Sequence, residues 1–310
     1  MKLNFTTLDV FTTARYKGNP LSIISVPSSL KPSLTQTQKQ AIAQEFNLSE
    51  IVFLHLPPPD ADSNANAERE IDIFTSHAEV PFAGHPTVGT SYYLLRNLSG
   101  DGKNVKTLIT KAGRIPISLS EADGTKVQAL VPFDFHIHAL KFSTPSTLEG
   151  TNKNNPVVSI VNGMSFVLVS LPSLSALENA LKSGNLTGKD TTYDPSALDE
   201  GWRNGLIGTM YFVSVGEENG ERRYRTRMFA SREDPGTGSA SSGLACFLAL
   251  ESAKARGVGQ RTTERFVFEQ GVEMGRRNEI TVEVEVDGGE VKKVLLSGAA
   301  VQVMEGSLEV

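Results

Sequence analysis

The chain has 310 residues, of which 39% are hydrophobic, with 30 basic against 35 acidic side chains, a net charge of −5 and one cysteine. Its length exceeds what one hydrophobic core usually serves, so two domains are expected. The acidic balance leaves no electrostatic footprint for nucleic acid, and the lone Cys246 excludes an intramolecular disulfide framework or a multi-cysteine metal centre.

The segment after Met1 lacks an apolar signal core, and no apolar run reaches the length that spans a bilayer. A cytoplasmic protein with no membrane partner is expected. On that reading the N-x-S/T triplets at Asn4, Asn47, Asn97 and Asn185 are chance or helix caps.

Alternation in the first ten residues and the apolar run from Leu21 to Val26 predict two strands, separated by a turn at Gly18-Asn19-Pro20. Ser33 to Asn47 carries Ile42, Ala43 and Phe46 at helical spacing and predicts a helix. Strands follow over Ile51 to Leu56 and Glu70 to Phe74, with an exposed Pro- and Asn-rich loop over residues 57–69 between them.

Phe82 to Gly89 is expected to be a turn feeding a buried helix from Thr90 to Arg96, after which Val105 to Ile109, Ile115 to Leu119 and Val127 to Val131 alternate as strands. A polar connector over 143–156 leads to a strand at Phe166 to Leu171, a helix at 174–181, and strands at Gly208 to Val215 and Arg223 to Phe229. A second glycine turn, Asp234 to Ser239, feeds a long apolar helix from Ala240 to about Ala255. Four strands close the chain: Arg265 to Gln270, Glu279 to Val286, Lys292 to Ser297 and Ala299 to Met304.

The two halves share an order. A strand ending Phe74-Thr75-Ser76 or Phe229-Ala230-Ser231 passes an acidic residue and a Pro/Gly turn into a buried helix, and His85 and Gly238 stand about half a chain apart. This predicts a duplicated α+β unit in which each sheet wraps a central helix.

A helix N-terminus offers unpaired N–H groups and positive potential, so each glycine turn can hold a carboxylate or oxyanion. The plainer alternative is that Gly84, Gly89, Gly236 and Gly238 only permit tight turns. Nucleotide motifs fail in detail: Gly236-Thr237-Gly238 is followed by Ser239-Ala240-Ser241, not by the dinucleotide fingerprint, and Gly84 to Gly89 lacks the lysine of a phosphate loop.

No histidine has the spacing of a known metal site. His136 and His138 are expected on a solvated strand face, as are Arg223, Arg225 and Arg227, which could otherwise border an anionic pocket. Cys246 falls in an apolar helix interior and is expected to be inert core. Glu50, in Asn47-Leu48-Ser49-Glu50 between a helix and an apolar strand, is either a surface cap or a sheltered acid–base group.

In chain order, Leu8-Asp9-Val10-Phe11 with Gly18-Asn19-Pro20, Asn47-Leu48-Ser49-Glu50, Pro81-Phe82-Ala83-Gly84-His85-Pro86-Thr87 and Glu233-Asp234-Pro235-Gly236-Thr237-Gly238-Ser239-Ala240 resemble the PhzF family, the phenazine biosynthesis-like branch of the diaminopimelate epimerase fold. The resemblance runs over essentially the whole chain. It implies an α+β fold of two pseudo-repeated halves, residues 1–125 with 298–310 and residues 126–297. Each half would be a curled, mainly antiparallel sheet around a central helix, with the active site in the cleft between them.

It further implies a cofactor-independent isomerase or epimerase without a metal, in which Glu50 shuttles a proton and His85 and Asp234 orient a small anionic, carboxylate-bearing substrate. Asn19, Gly84, Gly238 and Ser239 would bind that substrate, and relatives of this kind are often homodimers. Epimerases of the fold use two thiols, which one cysteine cannot supply. Here Gly236 stands where the family has Ala. A catalytically inactive ligand-binding protein on the same scaffold is the competing reading.

Overall fold

The computed structural model describes residues 1–58, 67–97, 102–142, 154–179, 198–230, 232–257 and 261–310. Most of the loop expected at 57–69, most of the connector at 143–156, the end of the helix expected at 174–181, Ser231, Asn185 and the side chain of Asn97 lie outside the described residues. The chain forms two compact units, Met1–Val131 with Leu296–Val310, and Pro132–Leu295.

The first unit opens with β1 (Lys2–Val10) and β2 (Asn19–Val26), which pair antiparallel so that Asn19 lies opposite Val10. Helix α1 (Gln36–Phe46) starts where the composition favours it. The Thr35 hydroxyl accepts the Gln38 N–H while the Gln38 side chain accepts the Thr35 N–H, and Asn47 ends the helix in the left-handed region at φ 49°. The strand β3 (Ile51–His55) lies parallel to β2, and β4 (Glu68–Phe74) pairs antiparallel with β3.

After the short β5 (Glu79–Val80) comes α2 (Gly84–Asn97), then β6 (Thr107–Thr110), β7 (Gly113–Leu119) and β8 (Val127–Leu130). The strand β6 runs parallel to β4, while β7 and β8 continue antiparallel. Because side chains alternate across a strand, β2 serves two layers. Ile24 and Val26 join Ile51, Phe53 and Phe74 beneath Ala43 of α1, whereas Leu21 meets α2.

The α2 contact is close: a Cβ on Gly89 would sit 2.5 Å from Leu21 Cδ2 and 2.8 Å from Val10 Cγ2. Gly89 is therefore a packing glycine inside a helix, not a turn residue. The helix begins at Gly84 rather than at Thr90, and Phe82 to Ser91 are all buried. The Gly-His-Pro-Thr stretch is its first turn, where Pro is tolerated because the first N–H groups have no partner within the helix.

The second unit contains β9 (His136–Ile137), β10 (Val157–Val161), β11 (Met164–Ser170), α3 (Leu174–Asn179), β12 (Leu206–Glu218), β13 (Glu221–Phe229), β14 (Glu233–Asp234), α4 (Gly238–Arg256), β15 (Thr262–Gln270), β16 (Asn278–Asp287) and the greater part of β17 (Glu290–Gly298), up to Leu295. The strand β10, absent from the sequence expectation, pairs antiparallel with β9 and β11. The strand β11 then pairs parallel with β12, β12 antiparallel with β13, β13 parallel with β15, and β15 antiparallel with β16. This is the same order of strand senses that β1, β2, β3, β4, β6 and β7 follow in the first unit.

Val157, Val167, Val169, Tyr211, Val213 and Phe229 form one core layer with Leu177 of α3. Helix α4 packs against β10, β11, β12, β15 and β16 and is buried along most of its length. It starts at Gly238, two residues before the expected Ala240. The chain re-enters the first unit at Leu296, near the end of β17, and continues into β18 (Ala300–Glu309), which lies antiparallel beside β1 from Lys2 opposite Glu309 to Val10 opposite Ala300. Among the described residues no helix is long and apolar enough to cross a membrane.

Candidate active site

In the first unit, the left-handed stop at Asn47 turns the chain out of α1 and into β3, which leaves Glu50 at the head of that strand. His85 is the second residue of α2, beside Gly84. The two meet: His85 Nδ1 lies 3.0 Å from Glu50 Oε2. The His85 side chain is 3% exposed and that of Glu50 20%, so the imidazole is enclosed while the Glu50 side chain keeps partial exposure, although its Oε2, the oxygen facing His85, is itself buried.

His85 Nε2 is buried and has no hydrogen-bond partner among the described residues. Asn19 is buried at the first position of β2, at the same end of the sheet as Glu50, because Ser22 pairs with Ile51 in the parallel β2–β3 ladder. The first-turn N–H groups of α2 add positive potential at this end.

In the second unit, Asp234 ends the two-residue strand β14, opposite Met228 of β13, and Gly238 and Ser239 open α4. The intervening turn is held from two directions. The buried Gln270 donates through Nε2 to the Asp234 carbonyl at 2.8 Å and to Thr237 Oγ1 at 3.0 Å, while its Oε1 accepts the Thr237 N–H at 3.0 Å. The Thr237 hydroxyl in turn donates to Asp234 Oδ2.

Asn278, also buried, donates to the carbonyls of Pro235 and Arg276, each at 2.6 Å. A Cβ on Gly236 would stand 2.3 Å from Asn278 Oδ1. That contact accounts for glycine where the resemblance led to alanine. Gln270 and Asn278 escape sequence reasoning because nothing local marks them, and they reach the turn from strands more than thirty residues further along the chain.

The profile of the phenazine biosynthesis-like proteins, PhzC-PhzF, matches residues 8–306. The chain belongs to the PhzF family. An uncharacterized isomerase of Mesorhizobium japonicum is 31% identical over 98% of both chains. The trans-2,3-dihydro-3-hydroxyanthranilate isomerase of Pseudomonas aeruginosa is 29% identical over 97% of this chain and 98% of its own.

Among solved structures, a PhzF-family protein of Bacillus anthracis superposes over the full length of both chains with a TM-score of 0.67 at 23% identity. A hydroxyproline epimerase of Agrobacterium vitis shares the fold at a TM-score of 0.59 and 14% identity, over 99% of this chain and 92% of its own. The fold is thus that of PhzF and the epimerases related to it, and both sequence relatives of this PhzF-family protein named above are isomerases.

Two expectations for the second unit need correction. Arg227 is not on a solvated face but is 1% exposed: its guanidinium forks onto Glu233 at 2.8 and 2.9 Å and donates to the Leu177 carbonyl of α3. Arg225 pairs with Glu269 and Glu273, and Arg223 with Glu218 and Glu221, so glutamates rather than an external anion face the stripe.

His138 is likewise buried. Its Nδ1 accepts the Asp199 N–H at 3.2 Å and its Nε2 lies 2.8 Å from Ser159 Oγ, while His136 stacks on Trp202 and bonds Asp199 at 2.7 Å. Burial foremost, then the neighbouring His136, holds the His138 imidazole below its usual range and so neutral. With Nδ1 accepting, Nε2 carries the proton and donates to Ser159, so His138 cannot serve that hydroxyl as a base.

The cluster of His136, His138 and Asp199 has metal-ligating side chains, as does that of His55, Glu70 and Asp72. In both, protein partners already engage the donor atoms: Asp72 bonds Lys39 at 2.6 Å and His55 at 2.8 Å, and Glu70 pairs with Lys31. Cys246 is buried in α4, and burial pushes its thiol well above the usual range.

Proposed function

We propose that this PhzF-family protein is an isomerase or epimerase that removes a proton from a carbon next to a carboxylate or carbonyl and returns one at another position or face, with Glu50 as the base. The observation that carries this is the contact between Glu50 Oε2 and the buried His85 Nδ1 at the start of α2. An enclosed imidazole orients the carboxylate without sealing it from a substrate, and a carboxylate so held is suited to general acid–base work.

His85 Nε2, which has no partner among the described residues, is the atom available to a polar hydrogen of the substrate. The N–H groups of Gly84, and of Gly238 and Ser239 at the start of α4, are suited to negative charge developing on oxygen. Asp234 holds a polar substrate group, and Asn19 lends its amide to binding. Every step uses side chains and backbone of this chain. No cofactor enters the reading, and the partner it requires is a small anionic substrate, not nucleic acid or a membrane.

The test is proton exchange. In D2O, trans-2,3-dihydro-3-hydroxyanthranilate, the substrate that names the Pseudomonas aeruginosa relative, and a panel of small carboxylic acids with an acidic C–H are incubated with the protein and followed by NMR. Deuterium enters one of them, and Glu50→Gln slows that entry by about 10²- to 10⁴-fold while the far-UV spectrum and thermal melt are unchanged. Undiminished exchange in Glu50→Gln removes Glu50 from the role of base, and exchange into none of the acids favours a binding protein on this scaffold.

A further inference from the structure

We propose that Gln270 and Thr237 are positioning residues for Asp234, acting as a hydrogen-bond relay whose direction the protein fixes completely. The inference rests on the reading of Asp234 as a substrate-holding group. It adds two residues, neither assigned a role by the sequence motifs, that determine how Asp234 presents its carboxylate.

The direction follows from donor counting. Gln270 Oε1 accepts the backbone N–H of Thr237 at 3.0 Å, and only the amide oxygen can accept, so the amide has one orientation. Its Nε2 protons then go to the Asp234 carbonyl at 2.8 Å and to Thr237 Oγ1 at 3.0 Å. A hydroxyl that accepts from Gln270 keeps one proton to give, and Asp234 Oδ2 is its acceptor.

Gln270 is fully buried at the end of β15, opposite Thr226 of β13, the strand that also pairs with β14. One side chain therefore ties together the main chain at Asp234, the main chain at Thr237 and, through the Thr237 hydroxyl, the Asp234 carboxylate. The relay thus adds a restraint on the Asp234 carboxylate to the anchoring of its main chain. In a low-dielectric setting such a chain is stronger than its separate bonds.

The experiment has a structural arm and a kinetic arm, both on the full-length protein. In the structural arm, ¹⁵N–¹H spectra follow the two side-chain amide protons of Gln270. Both are expected to be protected from solvent exchange; in Thr237→Val the proton directed at Oγ1 loses its protection by about tenfold or more, and Thr237→Ser restores it. If both protons exchange freely in the wild type, or if Thr237→Val leaves both unchanged, the relay is wrong whatever the enzyme does.

In the kinetic arm, with the acid that takes up deuterium in the wild type, Thr237→Val is expected to lower kcat by about 10²-fold with KM within about threefold, and Thr237→Ser to recover most of the loss. Wild-type kcat in a folded Thr237→Val overturns the positioning role. If the wild type exchanges none of the acids, the reading of Asp234 fails on its own and the structural arm still decides the relay.

Discussion

Glu50 and His85 show what a residue pair gains from its surroundings, and Asp72 shows the opposite use of the same chemistry. Asp72, Lys39 and His55 form a mostly buried hydrogen-bonded trio between α1 and the β3–β4 ladder. Burial alone would raise the Asp72 carboxyl, but hydrogen bonds from His55 and Lys39 and their charges outweigh it and bring it down to about 2.

A carboxyl lowered by folding stabilises the fold at pH values above its unfolded value, and that stability disappears as pH falls toward the folded one. Between about pH 4 and pH 2 the protein is therefore expected to lose about 2 kcal/mol from this group. Urea titrations at pH 7, 3 and 2 check this. Asp72→Asn should be less stable at pH 7, because it leaves Lys39 buried without its counter-ion, and should show a shallower acid loss. An acid limb of unchanged depth in Asp72→Asn would assign that loss to other carboxylates.

Residues were legible in the sequence when a motif carried them. Glu50, His85 and Asp234 stood in recognisable blocks, whereas Gln270, Asn278, Arg227 and the burial of His138 depend on what folds over them. An arginine alternating along a strand reads as solvent-facing until α3 is laid across it, and a histidine reads as exposed until Trp202 arrives.

At the scale of elements, strands were legible wherever alternation was long, as in β1, β7, β13 and β16, because one buried face imposes a period of two. The starts of α2 and α4 were not. The first turns of α2 and α4 are built from Gly, His, Pro, Thr and Ser, residues that read as turns because they compete with helical hydrogen bonding, yet suit a terminus whose N–H groups have no helical partners.

The turn that precedes α4 makes a specific prediction. Gly236→Ala places a methyl against Asn278 Oδ1, and Asn278 is itself anchored to the Pro235 and Arg276 carbonyls and cannot withdraw. The variant is expected to lose about 1 to 3 kcal/mol by overpacking. Asn278→Ser, which opens that space, should make the added methyl cheaper, so the double variant is more stable than the sum of the two single losses allows. Thermal melts of the four proteins close the cycle, and strict additivity would show that the clash relaxes elsewhere.

Arg227 and Glu233 act at the same scale. Their fork-to-fork pair ties α3 to the residue just before Asp234, so an element on one core layer is mechanically connected to the candidate site.

At the scale of the molecule, two domains were expected from length, and two compact units are present, but the first is discontinuous in sequence. Met1–Val131 holds β1 as an inner strand only because β18 lies beside it. A fragment ending at Val131 would expose the whole β1 edge, an invitation to strand pairing between molecules. Expressed alone, it should aggregate, whereas the same fragment joined by a short flexible linker to residues 296–310 should be soluble. Light scattering and far-UV spectra of the two fragments compare them directly, and a monomeric, folded 1–131 fragment would show that β18 is dispensable.

The pairing of β1 with β18 also sets a clock on biosynthesis. Lys2 meets Glu309, so the contacts that complete the first unit join residues from opposite ends of the chain. During synthesis the second unit, contiguous in sequence, has all of its strands before the first can be completed. The segment that precedes the second unit must wait for the segment that follows it, with a loop of the entire second unit to close before that ladder repays the entropy. A nascent chain of this fold therefore finishes its second half first, and β1 spends translation as an unpaired edge.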